Sequence, residues 1–259
     1  MKNKNIKTII YGCVFKDIRV SPLLKKKISS SVQISKIKFN YGGIFNLFNL
    51  KNRDEIIYIY HDGKESFKKK YNYYFQKKFK KAPRAVIIEK NHRLSFVEQG
   101  TLIKKTKKIM VKKNDLALFL YVECFPDYIF NNNGNVVMDY NHSGFIIPNE
   151  TLIHNLKNTN YLLGSIGELK WFFDLEKKFF FKNLTIIEHS PKNYIISIPI
   201  NNSQRKKINL INDNYKKNIK MVTGLGDMFA LYFLRNIPFI KDDIINIKKV
   251  SKSISKWLN

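Results

Sequence analysis

Apolar residues along this chain gather into short continuous runs more often than they alternate with polar ones. Lys7-Thr8-Ile9-Ile10-Tyr11-Gly12, Ile56-Ile57-Tyr58-Ile59-Tyr60, Leu116-Ala117-Leu118-Phe119-Leu120-Tyr121-Val122 and Val136-Val137-Met138-Asp139 are of this kind. Each is too short for a typical helix and stops at a turn residue or an acid, which predicts strands buried on both faces. Tyr161-Leu162-Leu163, Leu184-Thr185-Ile186-Ile187 and Tyr194-Ile195-Ile196-Ser197-Ile198 predict further strands, and Asn131-Asn132-Asn133-Gly134-Asn135 predicts a turn. Helical stretches lie between them. Asn149 is placed to cap a helix carrying Leu152, Ile153 and Leu156 on one face. Ser165-Ile166-Gly167-Glu168 has capping-box spacing and predicts the start of a helix with Leu169, Phe172 and Leu175 turned inward. Residues 64–83, rich in lysine and aromatics, also read as helical. Buried strands interleaved with helices predict a parallel sheet with helices on its faces.

Two stretches depart from that alternation. Val32-Gln33-Ile34 and Ile37-Lys38-Phe39 alternate apolar with polar, as strands with one exposed face do. Ala85-Val86-Ile87-Ile88 and Leu94-Ser95-Phe96-Val97 predict a hairpin around Lys90-Asn91-His92. The segments at about 13–41 and 85–103 therefore predict a small β appendage able to cover a site. With no internal repeat and no Pro/Ser-rich linker, 1–259 reads as one domain with a lid.

Composition adds limits. A hydrophobic content of 44% in 259 residues suffices for a full core. No run approaches the about 20 apolar residues of a membrane span. The basic N-terminus is followed by Thr8-Ile9-Ile10-Tyr11, but Lys16 and Asp17 arrive before a signal-peptide core is complete, so a soluble cytoplasmic protein is expected. Cys13 and Cys124 match no metal-ligand spacing and read as reduced core residues. A net charge of +27 invites a nucleic-acid reading. Only six of the 47 basic residues are arginine, however, and the lysines are spread along the chain. A chain this rich in Lys, Asn and Ile matches an AT-rich codon bias, and a solvated basic surface is the favoured reading over a nucleic-acid site.

The densest chemistry lies in Met221-Val222-Thr223-Gly224-Leu225-Gly226-Asp227, which runs into the apolar stretch Met228-Phe229-Ala230-Leu231-Tyr232-Phe233-Leu234. The first N–H groups of a helix have no partner inside it, and the helix dipole favours negative charge in front of them. Gly224, Leu225, Gly226 and the Asp227 N–H thus offer an anion hole, with the Asp227 carboxylate at its rim as a base. An anion hole beside a base is what phosphoryl transfer from a nucleotide to an alcohol needs. A Gly-rich turn before a buried helix fits the same residues without any chemistry. Asp17, five residues past Gly12, places a carboxylate near the carboxyl edge of the sheet, where open α/β sheets bind ligands. Gly42-Gly43 offers a hinge, and Asn46 offers a donor and an acceptor to a polyol.

In this order the signals resemble the PfkB/ribokinase family of carbohydrate and nucleoside kinases. The resemblance rests on Gly12 with Asp17, Gly42-Gly43 with Asn46, Asp62-Gly63, Asp139, Ser165-x-x-Glu168 and Thr223-Gly224-Leu225-Gly226-Asp227, and so spans nearly the whole chain. It implies an α/β three-layer sandwich with a mostly parallel central sheet, ribokinase-like, and a small β lid. It further implies transfer of the ATP γ-phosphate to a hydroxyl of a sugar or sugar-like acceptor, with Asp227 as general base. By the same resemblance, the N–H groups of Gly224, Leu225 and Gly226 stabilise the moving charge. Thr223, Ser165 and Glu168 lie on the nucleotide side, with Glu168 organising Mg²⁺ through water. Asp17, Gly42, Gly43, Asn46, Asp139 and Asn141 hold the acceptor. Lid strands in such proteins often pair two subunits.

The chain also departs from the family pattern. Met221 stands where the family motif opens with Asp, and Leu225 where a small residue lies between the glycines. Glu188-His189-Ser190-Pro191 replaces a Gly-bearing turn. These departures motivate an alternative, a catalytically weak relative that binds a sugar or nucleotide. The basic surface motivates another, a polyanion-binding protein whose affinity falls with salt.

Overall fold

The computed structural model describes residues 6–22, 34–50, 52, 54–64, 73–89, 93–98, 100–102, 108–121, 129–132, 134–140, 149–214 and 224–257. In chain order its strands are β1 (Thr8–Pro22), β2 (Ile34–Gly43), β3 (Glu55–His61), β4 (Tyr73–Lys77), β5 (Phe79–Lys81), β6 (Arg84–Glu89), β7 (Arg93–Glu98), β8 (Thr101–Leu102), β9 (Lys108–Val111), β10 (Leu116–Leu120), β11 (Ile129–Asn132), β12 (Asn135–Tyr140), β13 (Tyr161–Ser165), β14 (Thr185–His189), β15 (Asn193–Pro199) and β16 (Arg205–Ile211). The helices are α1 (Glu150–Lys157), α2 (Lys170–Glu176), α3 (Leu225–Asn236) and α4 (Asp243–Trp257), and a 3-10 helix, Ile44–Leu50, follows β2.

The apolar runs form one sheet in the order β16-β15-β14-β13-β12-β10-β1-β3-β4. From β4 to β14 every neighbouring pair is parallel, and β15 and β16 add an antiparallel edge. This is the mostly parallel α/β sheet flanked by helices that the alternation predicts. All of β10 is buried, as a strand covered on both faces must be. On one face the in-register neighbours Tyr74, Tyr58, Tyr11 and Phe119 stack ring on ring across four strands, with centroids 5.2, 5.0 and 4.7 Å apart. Stacked aromatics across strands add to the energy of simple burial.

β1 joins this sheet to a second one. Its first half, to Cys13, pairs with β10 and β3. From Val14 it pairs antiparallel with β2, and from Lys16 parallel with β6, which carries β7. The expected strand therefore does not end at Gly12. A Cβ there would come within 3.0 Å of Ile44, so Gly12 lets the 3-10 helix rest on the strand rather than ending it. Asp17 accordingly sits inside a strand of the second sheet, not in a loop after the first.

Other expectations also change. Within 64–83 the described residues form strands β4 and β5, not a helix. Tyr73, Phe75 and Tyr74 pair with β3 along its length, so tertiary pairing overrides local composition. Residues Ile129–Asn132 are strand β11, which takes in part of the expected turn. Asn149 caps α1 as expected, its Oδ1 accepting from the Leu152 N–H at 2.8 Å. Helix α2 begins at Lys170, so Ser165 ends β13 and Ile166 through Leu169 form a turn ahead of the helix instead of its first residues. The hairpin turn at Lys90-Asn91-His92 lies outside the described residues, as does Cys124. Cys13 is fully buried and in no disulfide.

Two arginines fasten the layers. Arg235 near the end of α3 grips Glu55 at the start of β3 through Nε and a terminal nitrogen at 2.6 and 2.8 Å, and also donates to the Leu50 carbonyl. Arg205 on β16 pairs with Glu176 on α2 and donates to the carbonyls of Phe181, Leu184 and Ser197. Both pairs satisfy the fork geometry that makes a buried Arg–carboxylate pair tolerable.

Candidate active site

Strand order locates the site before any side chain is considered. β3 and β4 lie on one side of β1, and β10, β12, β13 and β14 lie on the other. The sheet therefore reverses its build direction between β1 and β10. In open parallel sheets the crevice outside the carboxyl ends of two such strands is where ligands bind.

Helix α3 brings its first turn to that crevice. Met228, Phe229, Ala230, Leu231, Phe233 and Leu234 are all buried, against β10, β12, β13, the 3-10 helix and α4. A helix apolar on nearly every side belongs in a core. Its N-cap is Gly224 with φ 83°, a left-handed conformation that costs other residues about 1 kcal/mol or more. A Cβ at Gly224 would also press within 3.1 Å of the Asn46 side chain. The Met228 N–H closes on the Gly224 carbonyl at 3.0 Å. The N–H groups of Leu225, Gly226 and Asp227 therefore occupy the first turn, where the helix supplies no acceptor. Gly224 itself supplies no capping side chain, and a helix start of this kind favours negative charge in front of it.

Asp227 stands in that turn, only 3% exposed. Its Oδ2 accepts two bonds, from Asn46 Nδ2 at 2.7 Å and from Tyr121 Oη at 3.0 Å. Asn46 is delivered by the 3-10 helix, which is anchored by buried Ile44 and Leu47. Tyr121 is the residue after β10, and its backbone has φ 58°. Its N–H donates to the Asp139 carbonyl at 3.2 Å. Burial above all, then the charge and hydrogen bond of Asp227 and the charge of Asp139, hold its phenol well above the usual tyrosine range, so it remains a donor. Asp139 itself is fully buried near the end of β12, opposite Leu120.

The second sheet contributes Asp17, 5% exposed and paired in register with Asn40. Its carboxylate lies directly over Gly42, where a Cβ would fall 2.2 Å from Oδ2. Gly43, with φ 66°, turns the chain from β2 into the 3-10 helix and so toward Asn46.

The structure brings several of the expected residues together in pairs. Asp17 lies on Gly42, Gly43 leads to Asn46, Asn46 bridges Gly224 and Asp227, and Asp139 adjoins Tyr121. Ser165 and Glu168 lie one strand further along the same carboxyl edge, at the end of β13. There the Glu168 Oε2 accepts from the Ser165 N–H at 2.8 Å, half of a capping box built on a turn. His189 pairs with Ser165 in register, and its ring packs 5.2 Å from that of Phe229 on α3. Burial pushes its imidazole down to about 4. Thr223, Met221 and Asn141 lie outside the described residues. Tyr121 is the site residue that the sequence reading took for a plain strand position. A tyrosine inside an otherwise apolar buried run was the available signal, because a buried phenol needs a partner.

Among the described residues no group of three or more His, Cys, Asp or Glu is arranged to hold a metal ion. None of the described helices is long and apolar enough to cross a membrane.

No protein-family model matches the sequence, and no curated protein is a significant match. Solved structures do match in fold. A ribokinase from Cryptococcus neoformans var. grubii serotype A in complex with ADP is similar at TM-score 0.60 and 14% identity, over 95% of this chain and 91% of that one. A Methanocaldococcus jannaschii nucleoside kinase of the ribokinase family is similar at TM-score 0.56 and 16% identity, over 95% and 87%. A Burkholderia thailandensis nucleoside kinase in complex with inosine is similar at TM-score 0.59 and 12% identity, over 94% and 89%. Across nearly its whole length, the chain has the ribokinase fold.

Proposed function

We propose that this chain is a divergent member of the ribokinase family that transfers the γ-phosphate of ATP to a hydroxyl of a sugar or nucleoside, with Asp227 as general base. One observation carries the reading: a buried carboxylate in the first turn of a glycine-capped helix, at the point where the sheet changes direction. The acceptor hydroxyl sits against Asp227, which takes its proton as the oxygen attacks phosphorus. The N–H groups of Leu225, Gly226 and Asp227, with the bare backbone of Gly224, face the phosphate oxygens on which charge accumulates. Asp17 accepts hydrogen bonds from other acceptor hydroxyls, with Gly42 giving its carboxylate room. Asn46 and Asp139 complete that side, and the second sheet acts as a lid on a single domain. Mg²⁺ would neutralise phosphate charge. Glu168 would hold it through water, the phosphates themselves supplying the other ligands. The acceptor class draws support from the names of the fold neighbours, which include ribokinases and nucleoside kinases.

The test is ADP release with Mg-ATP against a panel of sugars, sugar phosphates and nucleosides. Asp227→Asn serves as the blank, and it is expected to lower kcat by about 10²–10⁴-fold while leaving the fold and ATP affinity nearly intact. Wild-type turnover in that variant would remove Asp227 from the role of base.

A further inference from the structure

Tyr121 belongs to no motif by which the fold was read, yet three independent features bring it to Asp227. Its backbone occupies the left-handed region at φ 58°, where a bulky side chain is disfavoured and a glycine or asparagine would sit more easily. Its amide is tied to the Asp139 carbonyl at 3.2 Å, which fixes that conformation to the end of β12. Its ring lies tilted against Phe15, centroids 4.8 Å apart, on the half of β1 that enters the second sheet. The result is a phenol, 8% exposed as a residue, whose oxygen is 3.0 Å from Asp227 Oδ2. Strain of this kind persists only where the surroundings impose it, and it gathers at functional sites.

We propose that Tyr121 is a positioning residue for phosphoryl transfer. With Asn46, it pins Oδ2 of Asp227 and so sets the direction in which the carboxylate meets the acceptor hydroxyl. This rests on the reading of Asp227 as the base. Two donors converging on one oxygen restrain the rotation of the carboxylate about its Cβ–Cγ bond more tightly than either donor alone. The donors come from different elements, the 3-10 helix and the end of β10, so the direction is set relative to both walls of the crevice. The contact with Phe15 adds the second sheet to that arrangement. The bond also has an electrostatic effect, because a donor to a carboxylate favours its charged form, the form that takes a proton.

Tyr121→Phe keeps the ring against Phe15 and removes only the hydroxyl. The expected result is a fall in kcat of about 10-fold or more, since a misdirected base loses near-attack geometry. KM for ATP should stay within about two-fold, and the acid limb of the kcat profile should move to higher pH, because a hydrogen bond to the charged form is gone. Tyr121→His keeps a ring and an N–H donor and is expected to recover part of the rate and of the acid limb. A hydroxyl that merely satisfied itself in the core would leave kcat and the pH profile of Tyr121→Phe unchanged while lowering Tm, and that outcome overturns the proposal. Should Tyr121→Phe fail to fold, Tyr121→Asn decides the matter, since asparagine accepts the left-handed backbone and is too short to reach Asp227: a wild-type kcat and pH profile in that variant counts against positioning. Asp227→Asn runs alongside. If it stays active, the base reading itself falls. If it is inactive while Tyr121→Phe matches wild type, only the role of Tyr121 falls. Silence of the wild type on every acceptor takes down both.

Discussion

At the scale of single residues, the site depends on close approaches that only small side chains permit. The Asp17 carboxylate occupies the space a side chain at residue 42 would fill, with Oδ2 2.2 Å from that Cβ position. Gly42→Ala must therefore push the carboxylate out of place, and Asp17→Ala must remove it. Both variants are expected to raise the acceptor KM by about 10-fold or more, the worth of one or two hydrogen bonds to a charged group. Neither should shift the KM for ATP, so a panel of initial rates with each substrate varied in turn checks the assignment. Equal effects on both substrates would take Asp17 out of the acceptor site. This pairing was half legible. Gly42-Gly43 and Asp17 were recognisable as separate signals, but their contact depends on β1 running on past Gly12 to pair with β2, and Gly12 read locally as a strand end. Tyr121 escaped for a related reason, since its phenol hinted at a partner but an apolar run does not announce where the strand stops, turns left-handed and reaches another element.

At the scale of elements, long apolar runs were readable and short or charged ones were not. β3, β10 and β12 follow from their continuous apolar runs, and α1 follows from its Asn149 cap. β16 went unforeseen. Its sequence, Arg-Lys-Lys-Ile-Asn-Leu-Ile, alternates but leaves one face in water, and charged residues outnumber the buried ones. The placement of α3, which carries the base, is held at its far end by Arg235 on Glu55. Both side chains are largely buried, with 16% and 4% exposed. Arg235→Leu leaves that carboxylate without its fork and the Leu50 carbonyl without its donor. It is expected to destabilise the fold by about 3–5 kcal/mol, as removal of one partner from a buried pair does. Urea unfolding would measure this. The double variant Glu55→Gln with Arg235→Leu should recover part of the loss, because the stranded charge is then gone. A loss below about 1 kcal/mol in the single variant would place the pair among surface bridges that hold nothing together.

At the scale of the whole molecule, the ordering of weak signals along the chain told more than any one of them. The reversal of strand order between β1 and β10 then explains why those signals converge. The same scale governs stability in acid, because His189 lies where β13, β14 and α3 meet. Its imidazole is pushed down to about 4 from an ordinary value of 6.5, with burial as the cause. The folded chain therefore holds His189 neutral at pH values where the unfolded chain protonates it. Stability from this source is fully present above about pH 6.5 and declines as pH falls toward 4, by at most about 3 kcal/mol once both states are protonated. The high net charge of +27 acts in the same direction, since protonating carboxylates adds to self-repulsion. His189→Phe separates the two, because it keeps a ring against Phe229 and removes the titrating group while leaving the surface unchanged. Unfolding free energies of wild type and variant, measured between pH 7.5 and 4 at fixed salt, should differ by an amount that changes across that window. The wild type should lose more on acidification. Parallel curves would show that His189 protonates as readily in the fold as outside it, and that acid sensitivity belongs to the surface charge alone.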